Sequence, residues 1–152
     1  MSQFKVAVFS SKPYDKKSFH TFQSEHVTFE FFDVRLTEHS VNLAKDFDAI
    51  CVFVNDVLTP SILEKLNEFC IKGIALRCAG YNNLDLPCFS NLPIRAARVP
   101  AYSPEAVAEH TIAMMMTLNR CLHKAYNRTK EDNFSLNGLL GFNIHGKTVG
   151  LI

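Results

Sequence analysis

Five short apolar runs, rich in Val, Ile and Phe, alternate along the chain with segments whose apolar residues recur at helical spacing. The runs predict strands at residues 4–9, 28–32, 49–54, 74–76 and 94–99. The run at 49–54 is continuously apolar, which is typical of a strand covered on both faces. Strands that alternate with helices usually pair in parallel, so the pattern predicts an α/β fold with a doubly wound parallel sheet.

Helical spacing predicts helices at 14–24, after Thr37, at 59–69, after Asp85 and at 104–126. Thr59-Pro60 and Ser103-Pro104 each combine a preferred N-cap residue with proline at the first helical position. The segment 104–126 is apolar on most sides. It is therefore either a central core helix or a helix placed between two domains or two subunits.

The last part of the chain has a different character. Residues 127–143 are polar and without strong periodicity, which predicts a long connection. The final G-K-T-V-G-L-I, residues 146–152, is typical of the beginning of a buried strand. A parallel strand needs neighbours and a return helix, so we interpret the chain as truncated.

The amino-acid composition indicates which kinds of partner and which kinds of site to expect. The chain has 152 residues, of which 47% are hydrophobic, and a net charge of +1, with no block of like charges. One domain plus a piece of another is expected from this length, and nothing indicates a nucleic-acid or membrane partner. The five cysteines contain no C-x-x-C pair, and the chain shows neither a secretory leader nor a membrane-spanning run. We therefore expect a cytoplasmic protein without disulfides or a metal site.

Three predicted strand ends carry candidate ligand-binding residues. The strand at 74–76 leads into Arg77, Cys78, Ala79 and Gly80, where small residues allow close backbone approach and Gly80 can take positive φ. Phe53 ends another strand, and Tyr102 precedes the helix that begins at Ser103-Pro104, where a helix dipole favours anions. An ordinary glycine–asparagine turn would explain the first loop alone, but ligands bind where several such loops converge.

Longer blocks of sequence give these residues a context. They are I-C-V-F-V-N-D at 50–56, A-L-R-C-A-G-Y-N-N-L-D at 75–85, R-V-P-A-Y-S-P-E-A-V-A-E-H at 98–110, M-M-M-T-L-N-R at 114–120 and N-F-S-L-N-G-L at 133–139. In these blocks the chain resembles the D-isomer-specific 2-hydroxyacid dehydrogenase family, and within it the fermentative bacterial D-lactate dehydrogenases. The resemblance implies a flavodoxin-like substrate domain at 1–100. It also implies that 101–152 begins a Rossmann cofactor domain, with its first helix and strand, and stops before the glycine-rich loop.

The resemblance also implies roles for individual residues. The backbone N–H groups of Ala79 and Gly80 would hold the carboxylate of pyruvate or D-lactate, and Tyr102 would donate a hydrogen bond to it. Phe53 would limit the space for the substrate's side group, and Val107 would pack near the nicotinamide of NAD. The complete protein would be a homodimer or homotetramer.

The family reduces a 2-keto acid with a hydride from NADH, using a histidine, a glutamate and an arginine that match no residue of this chain. We therefore expect no catalytic residue among residues 1–152 and an inactive fragment. Glu109 and His110 are interpreted as a satisfied structural pair. Two alternatives stay open: a non-catalytic flavodoxin-like module that binds a small carboxylate, and a dehydrogenase of a bulkier 2-hydroxy acid.

Overall fold

The computed structural model describes residues 3–22 and 24–151, and the chain divides into two compact units, Met1–Tyr102 and Ser103–Ile152. Each unit is described by itself. No helix in the described part of the chain combines the length and apolar character that a membrane crossing requires.

The first unit contains one five-stranded parallel sheet. Its strands are β1 (Phe4–Val8), β2 (Val27–Phe31), β3 (Ala49–Val52), β4 (Gly73–Leu76) and β5 (Arg95–Arg98). They lie in the order β2-β1-β3-β4-β5, and every adjacent pair is parallel. This order is that of flavodoxin-like doubly wound sheets, so the predicted fold class is confirmed. Each strand agrees with its prediction to within two residues at either end.

Helices connect the strands. They are α1 (Pro13–Thr21), a 3₁₀ turn at Val41–Ala44, α2 (Pro60–Glu68) and a single turn, α3 (Leu86–Phe89). Thr59 caps α2 as expected, since its hydroxyl accepts a hydrogen bond from the Ile62 amide at 3.4 Å. The predicted helix at 14–24 ends earlier, at Thr21, and Gln23 lies outside the described residues.

The two faces of the sheet are covered unequally. On one face, apolar residues of β1, β3 and β4 pack with α2 and the 3₁₀ turn into a continuous core. On the other face, α1 packs Phe19 against β1 and β2. Beyond α1 an apolar groove of about 350 Å³ crosses β3, β4 and β5, where Ala75 and Ala97 are exposed. The expectation that the run at 49–54 is covered on both faces is confirmed for β3, where Ile50, Cys51 and Val52 are all buried, whereas β4 and β5 carry the exposed alanines.

The second unit contains two helices where one was predicted. Helix α4 (Pro104–Asn119) ends before Cys121, whose φ of 51° lies in the left-handed region, and α5 (Leu122–Lys130) follows. The Asn119 side chain donates a hydrogen bond to the Phe142 carbonyl at 2.8 Å and accepts one from the Phe142 amide at 3.1 Å. The end of α4 is therefore tied to the segment at 141–142 instead of continuing into another helical turn.

Residues 146–151, predicted to begin a strand, pair with no strand in the part of the chain that the structure describes. Ile152 lies outside the described residues. A strand forms only against a neighbour that accepts its backbone hydrogen bonds, so an apolar run alone does not produce one here.

Candidate ligand site

The candidate site lies at the carboxyl edge of the sheet. Because all five strands are parallel, the segments that follow β1, β3, β4 and β5 emerge at this one edge. Ligands of open α/β sheets bind there, outside the carboxyl ends of the strands. Phe53, Arg77, Ala79 and Tyr102 all belong to these segments.

The loop after β4 offers backbone donors on a fixed support. Within the described residues, the amides of Ala79 and Gly80 donate to no protein acceptor. The Arg98 guanidinium donates to the Ala79 carbonyl and lies over the Tyr81 ring, 5.2 Å from its centroid. The carbonyl side of the loop is thus held by a cation, while its free N–H groups are available to an anion. Gly80 does not adopt the positive φ that the sequence suggested, and a Cβ built on it meets nothing within 4 Å.

Cys78 has a different position from the one expected. Its side chain is fully buried in the main core, and its thiol donates to the Gly80 carbonyl at 3.2 Å. Its carbonyl accepts a hydrogen bond from the Val99 amide at 3.2 Å. Cys78 therefore joins the β4 loop to the end of β5, and its side chain is inaccessible to a ligand.

Arg77 also differs from the expectation that its side chain reaches a ligand. Its guanidinium forms an ion pair with Asp15 at 2.6 Å and donates to the Phe9 carbonyl at 2.7 Å. Both partners of the ion pair are mostly buried. The Arg77 guanidinium also lies over the Phe53 ring, 5.3 Å from its centroid. It therefore holds the β1 end, α1 and Phe53 together, and its buried Nε has no hydrogen-bond partner among the described residues.

The backbone around Phe53 is fixed by a buried carboxylate and a buried amide. Asp56 is fully buried, and it accepts hydrogen bonds from the Phe53 amide at 2.7 Å, the Ser10 hydroxyl at 2.7 Å and the Leu36 amide at 3.0 Å. Asn83 donates to the carbonyls of Phe53 at 3.2 Å and Asp56 at 2.9 Å. These bonds satisfy polar groups whose burial would otherwise be costly.

Tyr102, the last residue of the first unit, is 59% exposed, and no hydrogen bond of its hydroxyl is found among the described residues. The next residue, Ser103, caps α4 by accepting from the Ala106 amide at 3.3 Å. Hydrogen bonding to its own backbone amide and to Ser103 lowers the pKa of Glu105 in the first turn of α4. The predicted helix start is therefore confirmed.

Val107 lies on α4 in the second unit and is 58% exposed. Glu109 and His110 are both exposed, and no hydrogen bond or ion pair joins them in the described part of the chain. Adjacent residues of a helix do not face each other, so the expectation of a satisfied structural pair was wrong. Across residues 3–22 and 24–151, no group of three or more His, Cys, Asp or Glu side chains is placed to hold a metal ion.

Sequence reasoning missed the supporting residues Asp15 and Arg98. Asp15 was visible only as an acidic residue in the first turn of a helix, with no indication of its distant partner Arg77. Arg98 was visible as a charge at a strand end, which is unremarkable on an edge strand.

The sheet order and the loops at its carboxyl edge define the first unit as a flavodoxin-like α/β domain with its candidate site in the usual place. The family model for the catalytic domain of D-isomer specific 2-hydroxyacid dehydrogenases matches residues 6–134. The chain therefore belongs to the D-isomer specific 2-hydroxyacid dehydrogenase family, as the resemblance predicted.

Two curated relatives show the degree of similarity. A 2-hydroxyacid dehydrogenase homolog of Haemophilus influenzae is 53% identical over 149 residues, and the D-lactate dehydrogenase of Escherichia coli K12 is 52% identical over 149 residues. Each alignment covers 97% of this chain and 45% of the relative. The chain thus spans about half the length of these relatives.

The apo structure of D-lactate dehydrogenase from E. coli superimposes with a TM-score of 0.88 at 52% identity, covering 94% of this chain and 46% of that one. An NAD-complexed D-isomer specific 2-hydroxyacid dehydrogenase from Lactobacillus delbrueckii ssp. bulgaricus gives a TM-score of 0.67 at 25% identity, covering 92% of this chain and 43% of that one. Structural neighbours in the family therefore include proteins that bind a nicotinamide nucleotide.

Proposed function

We propose that this chain provides the substrate-binding part of an NAD-dependent D-lactate dehydrogenase, which interconverts pyruvate and D-lactate. In this proposal the first unit is the substrate domain and the second begins the cofactor domain. The observation that carries the proposal is the pair of free amides at Ala79 and Gly80, next to the fixed side chain of Phe53.

The β4 loop suits a carboxylate. Two neighbouring N–H groups without a protein acceptor can each donate to a carboxylate oxygen, and charged acceptors strengthen such bonds. Arg98, bound to the carbonyl of Ala79, places a positive charge beside the same loop. Tyr102 has an exposed hydroxyl without a partner in the described chain, which we propose as a third donor.

The support of Phe53 favours a small substrate side group. Asp56 and Asn83 hold its backbone, while the Arg77 guanidinium lies over its ring. A wall fixed in this way moves little to admit a longer chain, so pyruvate fits better than a branched 2-oxo acid. We therefore propose pyruvate as the substrate and treat a bulkier 2-oxo acid as the second candidate.

NAD, when bound, supplies or accepts the hydride. The six glycines of this chain form no G-x-G-x-x-G turn of the kind that binds a pyrophosphate. We therefore propose that residues 1–152 contact NAD only through apolar side chains. Val107, exposed on α4, is the residue we propose for the nicotinamide contact. None of the six histidines is proposed as the proton donor.

We further propose that the complete protein is a cytoplasmic homo-oligomer. The second unit has no buried residue in either helix, and its exposed apolar side chains need cover. They include Val107, Ile112, Leu118, Phe134, Leu140 and Phe142. Large apolar surfaces of this kind usually mark interfaces.

The test is a titration of the ¹⁵N-labelled chain with pyruvate and with its unreactive analogue oxamate. We expect saturable shifts of the Ala79 and Gly80 amides, and a loss of about tenfold in affinity for Tyr102→Phe, as for the loss of a hydrogen bond to a charged group. Tyr126→Phe is the matched control, because Tyr126 is equally exposed but lies on α5. No response at Ala79 and Gly80 would refute the site, and tighter binding of 2-oxoisocaproate would favour the bulkier substrate.

A further inference from the structure

A polar cavity lies at the carboxyl edge of the sheet, and Phe53 is shared between it and the proposed substrate site. It has a volume of about 170 Å³ and lies where the segments after β1, β2 and β3 meet. Its lining consists of Ser10, Lys12, Tyr14, Asp33, Arg35, Phe53 and Asn55, and we call it the switch-point pocket. The sheet order reverses between β1 and β3, and doubly wound sheets bind ligands at that reversal.

Two cations, Lys12 and Arg35, line this pocket. In the described part of the chain, neither the Lys12 ammonium nor the Arg35 guanidinium has a hydrogen bond or an ion pair. They come from different strand ends, Lys12 after β1 and Arg35 after β2, so the fold rather than the local sequence brings them to one cavity. Asp33 supplies one negative charge to the same lining and attracts Lys12, so two cations and one carboxylate leave the pocket with an excess of one positive charge.

The neighbouring acidic groups are already engaged. Asp15 is bound by Arg77 and by the Lys12 backbone amide, and Asp56 accepts three hydrogen bonds within the fold. Asp33 lines the pocket, but its Oδ1 accepts from Ser11 at 3.0 Å and lies 3.3 Å from the Lys16 Nζ. The Ser11 hydroxyl and Lys16, and to a smaller extent the charge of Lys12, also hold the pKa of Asp33 below its ordinary value. Asp33 therefore stays ionised, and it offsets one of the two positive charges of the pocket.

The position of Lys12 adds to this argument. It is the N-cap residue of α1, where Ser, Thr, Asp and Asn are preferred because their side chains accept from the free helix amides. A cation there adds to the positive end of the helix dipole, which is locally unfavourable. Residues that break a local rule in this way are expected at functional or strained sites.

We propose that the switch-point pocket binds a small oxyanion with a phosphate or dicarboxylate group, separately from the pyruvate carboxylate. Lys12 and Arg35 neutralise the charge, and the Asn55 side-chain amide lies on the same wall. The volume suits such a ligand, because it corresponds to several water molecules at about 30 Å³ each. Phe53 is shared with the substrate site and separates the two ligands.

The experiment titrates the ¹⁵N-labelled 152-residue chain with inorganic phosphate at constant ionic strength and follows the amides of Ser10 and Asn55. We expect saturable one-site binding, weakened about tenfold by Lys12→Gln or Arg35→Gln and abolished by the double variant. Lys17→Gln is the control with the same charge change on the exposed side of α1, and Arg35→Lys should recover most of the affinity.

Malonate and chloride separate the possible ligands. Tighter binding of malonate than of phosphate would support the proposal with a dicarboxylate as the ligand, and the reverse would support it with a phosphate. An equal, unsaturable response to all three anions, or equal loss in Lys17→Gln, would overturn it. Pyruvate should still shift the amide signals of Ala79 and Gly80 in the double variant. If the double variant loses its response to pyruvate as well as to phosphate, the pocket is part of the substrate site and the proposal of a separate anion site is refuted.

Discussion

The buried carboxylate of Asp56 gives the sharpest test of how the site is supported. Its Oδ2 accepts from the Phe53 amide at 2.7 Å, while its Oδ1 accepts from Ser10 and Leu36. In Asp56→Asn, one oxygen remains for Ser10 and Leu36, but an NH₂ group faces the Phe53 amide. The variant therefore loses a hydrogen bond to a charged acceptor and leaves a buried donor without a partner.

The expected cost follows from those two losses. A hydrogen bond to a charged group contributes about 1.5 to 3 kcal/mol, and a buried donor left unsatisfied costs about 1 to 3 kcal/mol. Since the terms overlap, we expect Asp56→Asn to lower the free energy of unfolding by about 2 to 4 kcal/mol. For a unit of this size the melting temperature falls by about 10 °C or more.

Urea unfolding followed by circular dichroism measures this change, with the slope of free energy against urea concentration as a check on two-state behaviour. Asp46→Asn is the matched control. Asp46 is exposed with a φ of 70°, a backbone conformation that asparagine tolerates, so its stability should stay near that of the unsubstituted chain. If the two variants unfold at the same urea concentration, Asp56 does not support Phe53 as argued.

Three further predictions concern other parts of the chain. Gly141→Ala should detach the 141–142 segment from α4 and speed hydrogen exchange of its amides, because a Cβ at Gly141 would lie 2.1 Å from the Asn119 carbonyl oxygen. Gly150→Ala is the control and should have no effect, since a Cβ at Gly150 meets nothing within 4 Å. Burial raises the pKa of the Cys51 thiol from 9.0 to about 11. Because the unfolded thiol ionises first, the free energy of unfolding should fall as pH rises from 9 towards 11. A Cys51→Ala variant whose free energy of unfolding falls equally over this pH range would contradict the prediction. The chain should bind a hydrophobic dye and self-associate in sedimentation, owing to the exposed apolar side chains of the second unit, and a dye-negative monomer would count against that view.

The sequence predicted the strands and two helix starts well because their signals are local. Apolar runs specify buried strands, and Thr59-Pro60 and Ser103-Pro104 specify helix starts, so boundaries differ by only a few residues. The predicted helix at 104–126 was too long, because Cys121 takes a left-handed φ between α4 and α5, next to a helix end that binds a segment more than twenty residues later. A window of neighbouring residues contains no information about that contact.

The candidate site was predicted only in part, for the same reason. The small residues Ala79 and Gly80 predict a loop whose backbone is open to close approach, and the structure leaves both of their amides without a protein acceptor in the described part of the chain. Arg77 was expected to contact a ligand, but its partner Asp15 lies 62 positions earlier and holds its guanidinium within the fold. The pairing of Lys12 with Arg35 at one cavity likewise depends on the order of strands in the sheet.

Strand β5 ends the sheet on one side, and its sequence is R-A-A-R. The side of a short alanine strand that pairs with no neighbour is a template onto which another chain could add, and charged flanking residues oppose such growth. Arg95 and Arg98 occupy those flanking positions, and Arg98 also holds the carbonyl of Ala79. Protection of the sheet edge and the shape of the loop after β4 therefore both depend on Arg98, so a substitution at Arg98 would change the two properties together.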